Sequence, residues 1–508
     1  MSGYPRPGGV APTPLRDLAA LIGSTAPGGA DTAVTGVTHA SGEVRPGDLY
    51  AALPGARRHG AEFVPAARDA GAVAVLTDPA GAGAAAAAGL PALVVPDPRA
   101  VLGTAASRVY GDPTGRLTVL GITGTAGKTS TAYLIESGLR AAGRTTGLIG
   151  TVETRLGDLV VDSARTTPEA TDLHATLAAA LERGVDSVAM EVSSHALALG
   201  RVGGVRFAVG GFTNFGLDHL DFHADVEDYF AAKAKLFDGR CGTGIVNLDD
   251  PAGRRLIRPT TVTYSAAGDP EADWRAVEIT GGGYAQRFVA VGPDGIGVAA
   301  AVALPGRHNV ANALLALASL VAVGVDPDVA ARGIADCPGV PGRLERVAAP
   351  GPVLGVVDYA HKPDAIVAAL AALRSIEGVH RVICVLGAGG DRDRAKRPLM
   401  GAAAARGSDV VIVTDDNPRT EDPTVIRAEV LRGVLDAGGT GVVEVAGRRA
   451  AIAEAVRLAG PGDVVALLGK GHERGQDVGG VVHPFDDRVE LAAALAERFA
   501  GSFEGSAV

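Results

Sequence analysis

The chain is poor in cysteine, in aromatic residues and in long apolar runs, and each shortage excludes something. Its three cysteines, Cys241, Cys337 and Cys384, are odd in number, far apart and form no CxxC pair. They support neither a disulfide framework nor a zinc site and read as buried thiols in a reducing compartment. Aromatic residues make up 4% of the chain, and 57 acidic side chains against 47 basic ones leave a net charge of −10. With no basic or aromatic stripe, the composition argues against a nucleic-acid partner and disfavours a nucleic-acid-dependent ATPase, while a local basic pocket for a small anion stays open. No stretch reaches the ~18 consecutive apolar residues of a membrane span. The nearest, GAGAAAAAGLPALVV at 81–95, is broken by Pro91 and reads as helix, turn and strand. The opening MSGYPRPGGVAPTPL has no basic segment ahead of an apolar one, so the expectation is a frayed tail on a cytoplasmic protein, not a signal peptide.

What the chain does have is length and glycine. Its 508 residues exceed one ordinary core, and its 71 glycines follow no G-X-Y period. Three blocks emerge, at 1–114, 115–341 and 342–508, with DPTG (112–115) and CPGVPGR (337–343) as the joints. The first holds short buried strands at GAVAVLTD (71–78) and LPALVVPD (90–97). The second holds LTVLGI (117–122), VDSVAMEV (185–192) and GTGIVNLDD (242–250). The third holds VLGVVDYA (353–360), VICVLGAG (382–389), DVVIVTDD (409–416) and DVVALLGKG (463–471). Helical patterns separate these runs, which predicts α/β domains built on open, mostly parallel sheets.

GITGTAGKTS (121–130) nearly matches the phosphate-loop spacing G-x-x-x-x-G-K-[ST], but Ile122 stands where a glycine is required and the glycines fall at 121, 124 and 127. Its context is nonetheless strand, Gly-rich turn, Lys128, Thr129 and helix, the helix carrying Ala132, Ile135 and Leu139 on one face and stopping at Gly143. Converging amides and a helix N-terminus would cradle a phosphate, with Lys128 on the terminal phosphates and the Thr129 hydroxyl on Mg²⁺. The rival reading is a tight turn with an exposed lysine. EVSSHAL (191–197) puts Glu191 at the carboxyl end of a strand, where open α/β sheets bind ligands. TNFGLDHLDFH (213–223) gathers Asp218, His219, Asp221 and His223, a set suited to a divalent cation beside a phosphate loop.

These stretches, with TTPEATDL (166–173), YFAAKAKLF (229–237), GRHNVANALLA (306–316), GRLERV (342–347), DYAHKPDA (358–365), GAGGDRDRAKRPLM (387–400), TDDNPR (414–419) and LGKGHE (468–473), together resemble the Mur ligases of cell-wall synthesis. The nearest likeness is to the members that add the third amino acid of the peptide. The resemblance spans nearly the whole chain and implies the three-domain Mur ligase architecture. Residues 1–114 would be a small α/β domain for the UDP-linked substrate and 115–341 a phosphate-loop ATP domain. Residues 342–508 would be a Rossmann-like domain for the incoming amino acid. It also resolves the spacing, because the family's shifted loop, G-T-x-G-K-T, is matched by Gly124, Thr125, Ala126, Gly127, Lys128 and Thr129, followed by Ser130. Ala126 replaces a residue that is often Asn or Ser.

The implied reaction is ATP-dependent amide formation. The free side-chain carboxylate of the D-glutamate in UDP-N-acetylmuramoyl-L-alanyl-D-glutamate is phosphorylated, and an amine of diaminopimelate displaces the phosphate. Phosphoryl transfer needs positioning and charge neutralisation more than covalent help. The resemblance assigns that to Lys128 and to Mg²⁺ on Thr129, Glu191 and His219, with Lys233 carbamylated as an oxygen ligand for a second Mg²⁺. Read alone, Lys233 is a solvated helix lysine; Lys235 would face another way. Asn309 and Asn312 match the adenine side, Arg343 the phosphates, and Asp358 and His361 the residues that close onto the nucleotide. Lys362 stands where Thr is common and is given no role. Ser41, Thr166, Thr167 and Ser193 match the UDP-substrate side, although Ala40 and Gly42 replace the Asp and Arg of the family's D-S-R element. Diaminopimelate contacts fall on Arg392, Asp416, Asn417, Arg419, Gly469 and Glu473. Arg419 would grip the distal carboxylate that lysine lacks, and Glu473 would meet an ammonium. The rival for Arg419 is an ion pair with Glu421 or Asp422. A lysine-adding relative, a folylpolyglutamate-synthase-like ligase and a degenerate nucleotide-binding paralog are the alternatives. The expected partners are these small substrates and ATP, with no membrane insertion, and the expected state is a monomer.

Overall fold

The computed structural model describes residues 3–25 and 28–499. One compact unit contains an N-terminal and a central sheet; a second contains a C-terminal sheet.

The N-terminal sheet is parallel, in the order Gly36–Thr38, Asp48–Ala52, Ala74–Thr77, Ala92–Val94. The helix Pro98–Val109, capped by the Asp97 carboxylate, covers one face. The segment at 81–95 is a short helix, Ala82–Ala87, then a turn and the strand Ala92–Val94. The opening segment, read as a frayed tail, is docked from Tyr4 onward; its first two residues lie outside the described ones. Tyr4 is buried, Arg6 makes a two-pronged ion pair with Asp48 (2.9 and 3.0 Å), and Thr13–Pro14 pairs with Ala33–Val34. The segment looked frayed because its Pro and Gly residues support no periodic pattern. It is held instead by single polar contacts, which periodicity does not register.

Eight neighbouring strands of the eleven-stranded central sheet run in the order Leu159–Asp162, Glu153–Leu156, Thr146–Ile149, Ser187–Glu191, Thr118–Thr123, Phe207–Phe212, Cys241–Asn247, Thr261–Ser265, and the six from Thr146–Ile149 to Thr261–Ser265 are parallel. Near-continuous apolar runs such as Val188, Ala189 and Met190 suit strands buried on both faces. The strand leading into the glycine-rich loop lies between Ser187–Glu191 and Phe207–Phe212. The loop, Glu191–Ser193 and Thr213–Gly216 therefore leave the same carboxyl edge.

The C-terminal sheet orders Glu345–Val347, Leu354–Asp358, Val464–Leu468, Val382–Leu386, Val410–Val413 and Val442–Glu444, antiparallel only at the first pair. DYAHK, LGKGHE, GAGGDR and TDDNPR, scattered over more than a hundred residues of sequence, thus follow the carboxyl ends of four neighbouring strands. Cys337 and Cys384 are buried, but Cys241, the first residue of the strand Cys241–Asn247, is only partly covered, a correction to the expectation for all three. No helix among the described residues is long and apolar enough to cross a membrane.

Candidate functional site

The glycine-rich loop is fixed by its backbone. Gly124 (φ 141°) and Gly127 (φ 87°) occupy conformations that favour glycine. A side chain at Gly124 would collide with the Thr213 hydroxyl, and one at Gly127 with the Asn312 amide. The helix Lys128–Ala141 starts directly after, so its first amides face the loop. Ala126 contributes main chain only: its N–H donates to Asn214 Oδ1 (3.0 Å) and its carbonyl accepts from Thr213 Oγ1 (2.6 Å). Thr125 Oγ1 lies 3.1 Å from the Tyr229 hydroxyl, tying the loop to the helix Val226–Ala234. The Lys128 ammonium folds back onto the carbonyls of Gly124 (2.9 Å) and Thr125 (3.1 Å), poised over the loop and not on an outer surface.

Glu191 is the hub beside it. Only 1% exposed, it accepts from Thr129 Oγ1 (3.1 Å), from Thr151 N (2.7 Å) and from Thr151 Oγ1 (3.1 Å). Thr151 Oγ1 is in turn 3.0 Å from Thr166 Oγ1. Thr167 Oγ1 donates to the Glu191 carbonyl (2.8 Å) and accepts from Ser193 N (3.1 Å), while Ser193 Oγ caps the next helix through Ala196 N. The expected phosphate loop, carboxylate and UDP-side residues are thereby one connected chain of hydrogen bonds. Arg201 reaches the Thr167 carbonyl (3.4 Å), and with Arg99 it brackets Glu169 at 2.8 and 3.3 Å. Two guanidiniums on one carboxylate leave positive charge next to Thr167. Ser130 is buried in the first turn of its helix, and Ser41 sits half-buried in the short turn Ser41–Glu43.

Lys233 is not solvated: it is 1% exposed, and its ammonium donates to the Gly124 carbonyl (2.8 Å) and lies 4.5 Å from the centre of the Tyr229 ring. Lys235 is exposed. Two lysine ammoniums, from Lys128 and Lys233, therefore converge on one carbonyl oxygen. His219, in the left-handed region (φ 52°), pairs with Asp218 (3.1 Å) and stands edge-on to His195, with ring centres 4.6 Å apart. His195 stacks on Phe222, and burial holds its imidazole below the usual range. His223 pairs with Asp228 (3.0 Å) and Asp221 is exposed, so neither adds to a cation set with His219. Among the described residues no group of three or more His, Cys, Asp or Glu is arranged to hold a metal ion. What the loop region offers instead is hard oxygen, from the Thr129 hydroxyl and the Glu191 carboxylate, which fits Mg²⁺ better than a soft metal.

The remaining residues expected on the nucleotide side divide. Asn312 is buried against Gly127. Asn309 donates to the Pro305 carbonyl (2.8 Å) and lies 3.1 Å from His308 Nε2, a local use that sequence reading did not foresee. In the C-terminal unit the Arg343 guanidinium lies 4.8 Å from the centre of the Tyr359 ring. Asp358 accepts from Leu344 N (2.7 Å) and Ala360 N (2.8 Å), and burial raises its carboxyl pKa against the lowering effect of Arg343. His361 Nδ1 is 2.8 Å from the Tyr359 carbonyl, and burial pushes its imidazole down to about 4. Lys362 precedes the helix Pro363–Arg374.

The four motif loops of the C-terminal sheet form a second cluster. Asn417 donates to Glu473 Oε2 (2.8 Å), and a side chain at Gly469 would strike the Asp416 carboxylate. Arg419, with φ 53°, donates to the Gly390 carbonyl (2.6 Å). The rival ion pair is not formed: Glu421 is held by Arg397 (2.8 Å) and Asp422 caps the helix Pro423–Asp436. Arg392 is exposed at the loop tip. The ammonium that Glu473 meets here is Lys470, at 3.2 Å. Sequence reading passed over Lys470, which is fully buried and bonds Asn417, Glu473 and the Gly475 carbonyl, although it sits inside LGKGHE. It also passed over Arg397, buried within GAGGDRDRAKRPLM, and Thr151, which no motif marks.

Family models describe three consecutive parts of the chain: "Mur ligase family, catalytic domain" at residues 33–110, "Mur ligase middle domain" at 122–320 and "Mur ligase, glutamate ligase domain" at 342–471. The UDP-N-acetylmuramoyl-L-alanyl-D-glutamate–2,6-diaminopimelate ligase of Streptomyces avermitilis is 56% identical, covering 97% of this chain and 99% of its own length. The ligase of that name in Streptomyces coelicolor is 56% identical over 97% of this chain and 98% of its own. A solved structure of a ligase with that name superposes with a TM-score of 0.70 at 31% identity, covering 96% of this chain and 99% of the other. The chain belongs to the Mur ligase family.

Proposed function

We propose that this Mur ligase is an ATP-dependent amide ligase that joins 2,6-diaminopimelate to UDP-N-acetylmuramoyl-L-alanyl-D-glutamate in peptidoglycan synthesis. The observation that carries the site assignment is the hydrogen-bonded chain from Thr129 through Glu191 and Thr151 to Thr166, beside a loop built for phosphate. It sets a candidate nucleotide cradle next to a candidate acceptor-substrate stretch, as in-line transfer requires.

The γ-phosphoryl of ATP passes to an oxygen of the D-glutamate side-chain carboxylate, and ADP leaves. The free amine attacks the acyl carbon, and the tetrahedral adduct collapses to the amide with loss of phosphate. Lys128 and the loop amides bind and orient the phosphates. Arg99 and Arg201 supply positive charge for the diphosphate of the UDP moiety next to Thr166, Thr167 and Ser193, with Ser41 on the same substrate. Thr129, Glu191 and His219 would hold Mg²⁺, which neutralises charge on the transferring group. Carbamylation of Lys233 would replace one of two crowded cations with an anionic oxygen donor. Asn309, Asn312, Arg343, Asp358 and His361 complete the nucleotide side. Asp416, Asn417, Arg419, Gly469, Glu473 and Arg392 receive the amino acid, with the Arg419 guanidinium on its distal carboxylate. Residues 1–114, 115–341 and 342–508 are our assignment of the three domains, acting as a monomer in the cytoplasm.

The test is isotopic. With heavy oxygen in the glutamate carboxylate, one labelled oxygen should emerge in the released phosphate. Unlabelled phosphate during productive turnover would exclude the acyl phosphate.

A further inference from the structure

The opening segment carries a function beyond the reading above, on which this inference rests. Residues 4–9 are tied at three points, to the stretch before Thr166, to the N-terminal sheet and to the helix Ala170–Glu182. The Tyr4 hydroxyl donates to the Arg165 carbonyl (3.1 Å) and accepts from the Arg165 N–H (3.0 Å). Arg6 grips Asp48 through both terminal nitrogens and reaches the Tyr110 hydroxyl (3.2 Å). The N–H groups of Gly8 and Gly9 donate to the two carboxylate oxygens of Glu182 (2.8 and 3.0 Å), on the helix that follows the TTP stretch.

Arg165 directly precedes Thr166 and Thr167, and residues 163–167 belong to no helix or strand. A segment without ladder bonds is positioned by whatever single bonds hold its main chain. On its far side the segment is held by Thr151, the Glu191 carbonyl and Ser193. On its near side one side chain, Tyr4, satisfies both main-chain groups of Arg165, as a neighbouring strand would. Tyr4 is 7% exposed, so this pairing is sheltered from competing water. We propose that the N-terminal segment is a strap and Tyr4 a positioning residue, which preorganises Thr166 and Thr167 for the UDP-linked substrate. Ordering the segment in advance removes that entropic cost from binding.

Tyr4→Phe is the clean probe, because it removes the hydroxyl and keeps the buried ring. In the full chain, KM for UDP-N-acetylmuramoyl-L-alanyl-D-glutamate should rise about tenfold, as the loss of two neutral hydrogen bonds implies, with kcat and KM for ATP unchanged. Glu182→Ala, which frees the other end of the strap, should shift the same KM in the same direction. Hydrogen exchange at the Arg165 amide, followed without substrates, reads the strap independently of turnover and should quicken in Tyr4→Phe. An unchanged KM in Tyr4→Phe would overturn the positioning role, and unchanged exchange at Arg165 would overturn the strap itself. A parallel fall in kcat and rise in both KM values would also overturn it, reducing Tyr4 to general support. A wild-type protein that forms no product would sink the ligase reading, and the exchange experiment would still decide the strap.

Discussion

At the scale of single residues, the account turns on two cations. Lys128 sits over the loop, held by two carbonyls of that loop. Lys128→Met should keep the fold and lower kcat by about 10²–10³, the usual cost of losing one preorganised charge at a transition state. Steady-state phosphate release with all three substrates measures it, and a loss under fivefold would remove Lys128 from the chemistry. Arg419 is aimed by Gly390, not by a neighbouring acid. Arg419→Lys keeps the charge but loses the planar fork, so KM for diaminopimelate should rise more than about tenfold while kcat changes little. Motif-bearing residues such as Glu191 and Asn417 were legible in the sequence because their chemistry is written in short, unusual strings. Thr151, Lys470 and Arg397 were not, because a threonine, a lysine or an arginine outside its expected role reads as surface. Only burial reveals the difference: the side chains of Lys470 and Arg397 are both 0% exposed.

At the scale of elements, burial of charge and of imidazole decides stability. Arg448 and Asp487 form a fully buried two-pronged pair (2.7 and 2.6 Å), and Arg448 also donates to the Leu468 carbonyl at the head of the LGKGHE turn. Asp487→Asn leaves a buried guanidinium without its counter-charge and should cost about 3–5 kcal/mol in denaturant unfolding. His174, on the helix Ala170–Glu182, has one ring nitrogen 2.8 Å from the Gly203 carbonyl and the other buried without a partner among the described residues. Burial depresses its pKa to about 4. The unfolded chain, with an ordinary histidine near 6.5, therefore binds the proton first as pH falls. The stability tied to neutral His174 is fully present above about 6.5 and is lost progressively down to about 4, up to roughly 3 kcal/mol. Melting curves between those limits should show a shallower pH slope for His174→Gln than for the wild type. Elements were the most readable level: every strand expected from an apolar run is a strand, and the helix expected after the loop spans Lys128–Ala141, with Gly143 in a left-handed turn just beyond. The opening segment was misread because a strap of isolated contacts has no period.

At the scale of the whole molecule, chain order hides what sheet order makes plain. Strand order brings DYAHK, GAGGDR, TDDNPR and LGKGHE to one edge of the C-terminal sheet, and the loop, Glu191 and Thr213 to one edge of the central sheet. The alternation of strands and helices predicted parallel α/β sheets, but no local rule gives their order, since parallel pairing is set by crossovers of many residues. The resemblance to Mur ligases supplied the grouping that physical reading of the residues alone left open. The measurement that tests the central claim most directly is mass spectrometry of the product formed from ATP, Mg²⁺ and UDP-N-acetylmuramoyl-L-alanyl-D-glutamate, with meso-diaminopimelate, LL-diaminopimelate or L-lysine supplied separately. The account predicts a tripeptide product with a diaminopimelate isomer and none with lysine. A product with lysine alone would contradict the role given to Arg419, and no product with any of the three would contradict the ligase itself.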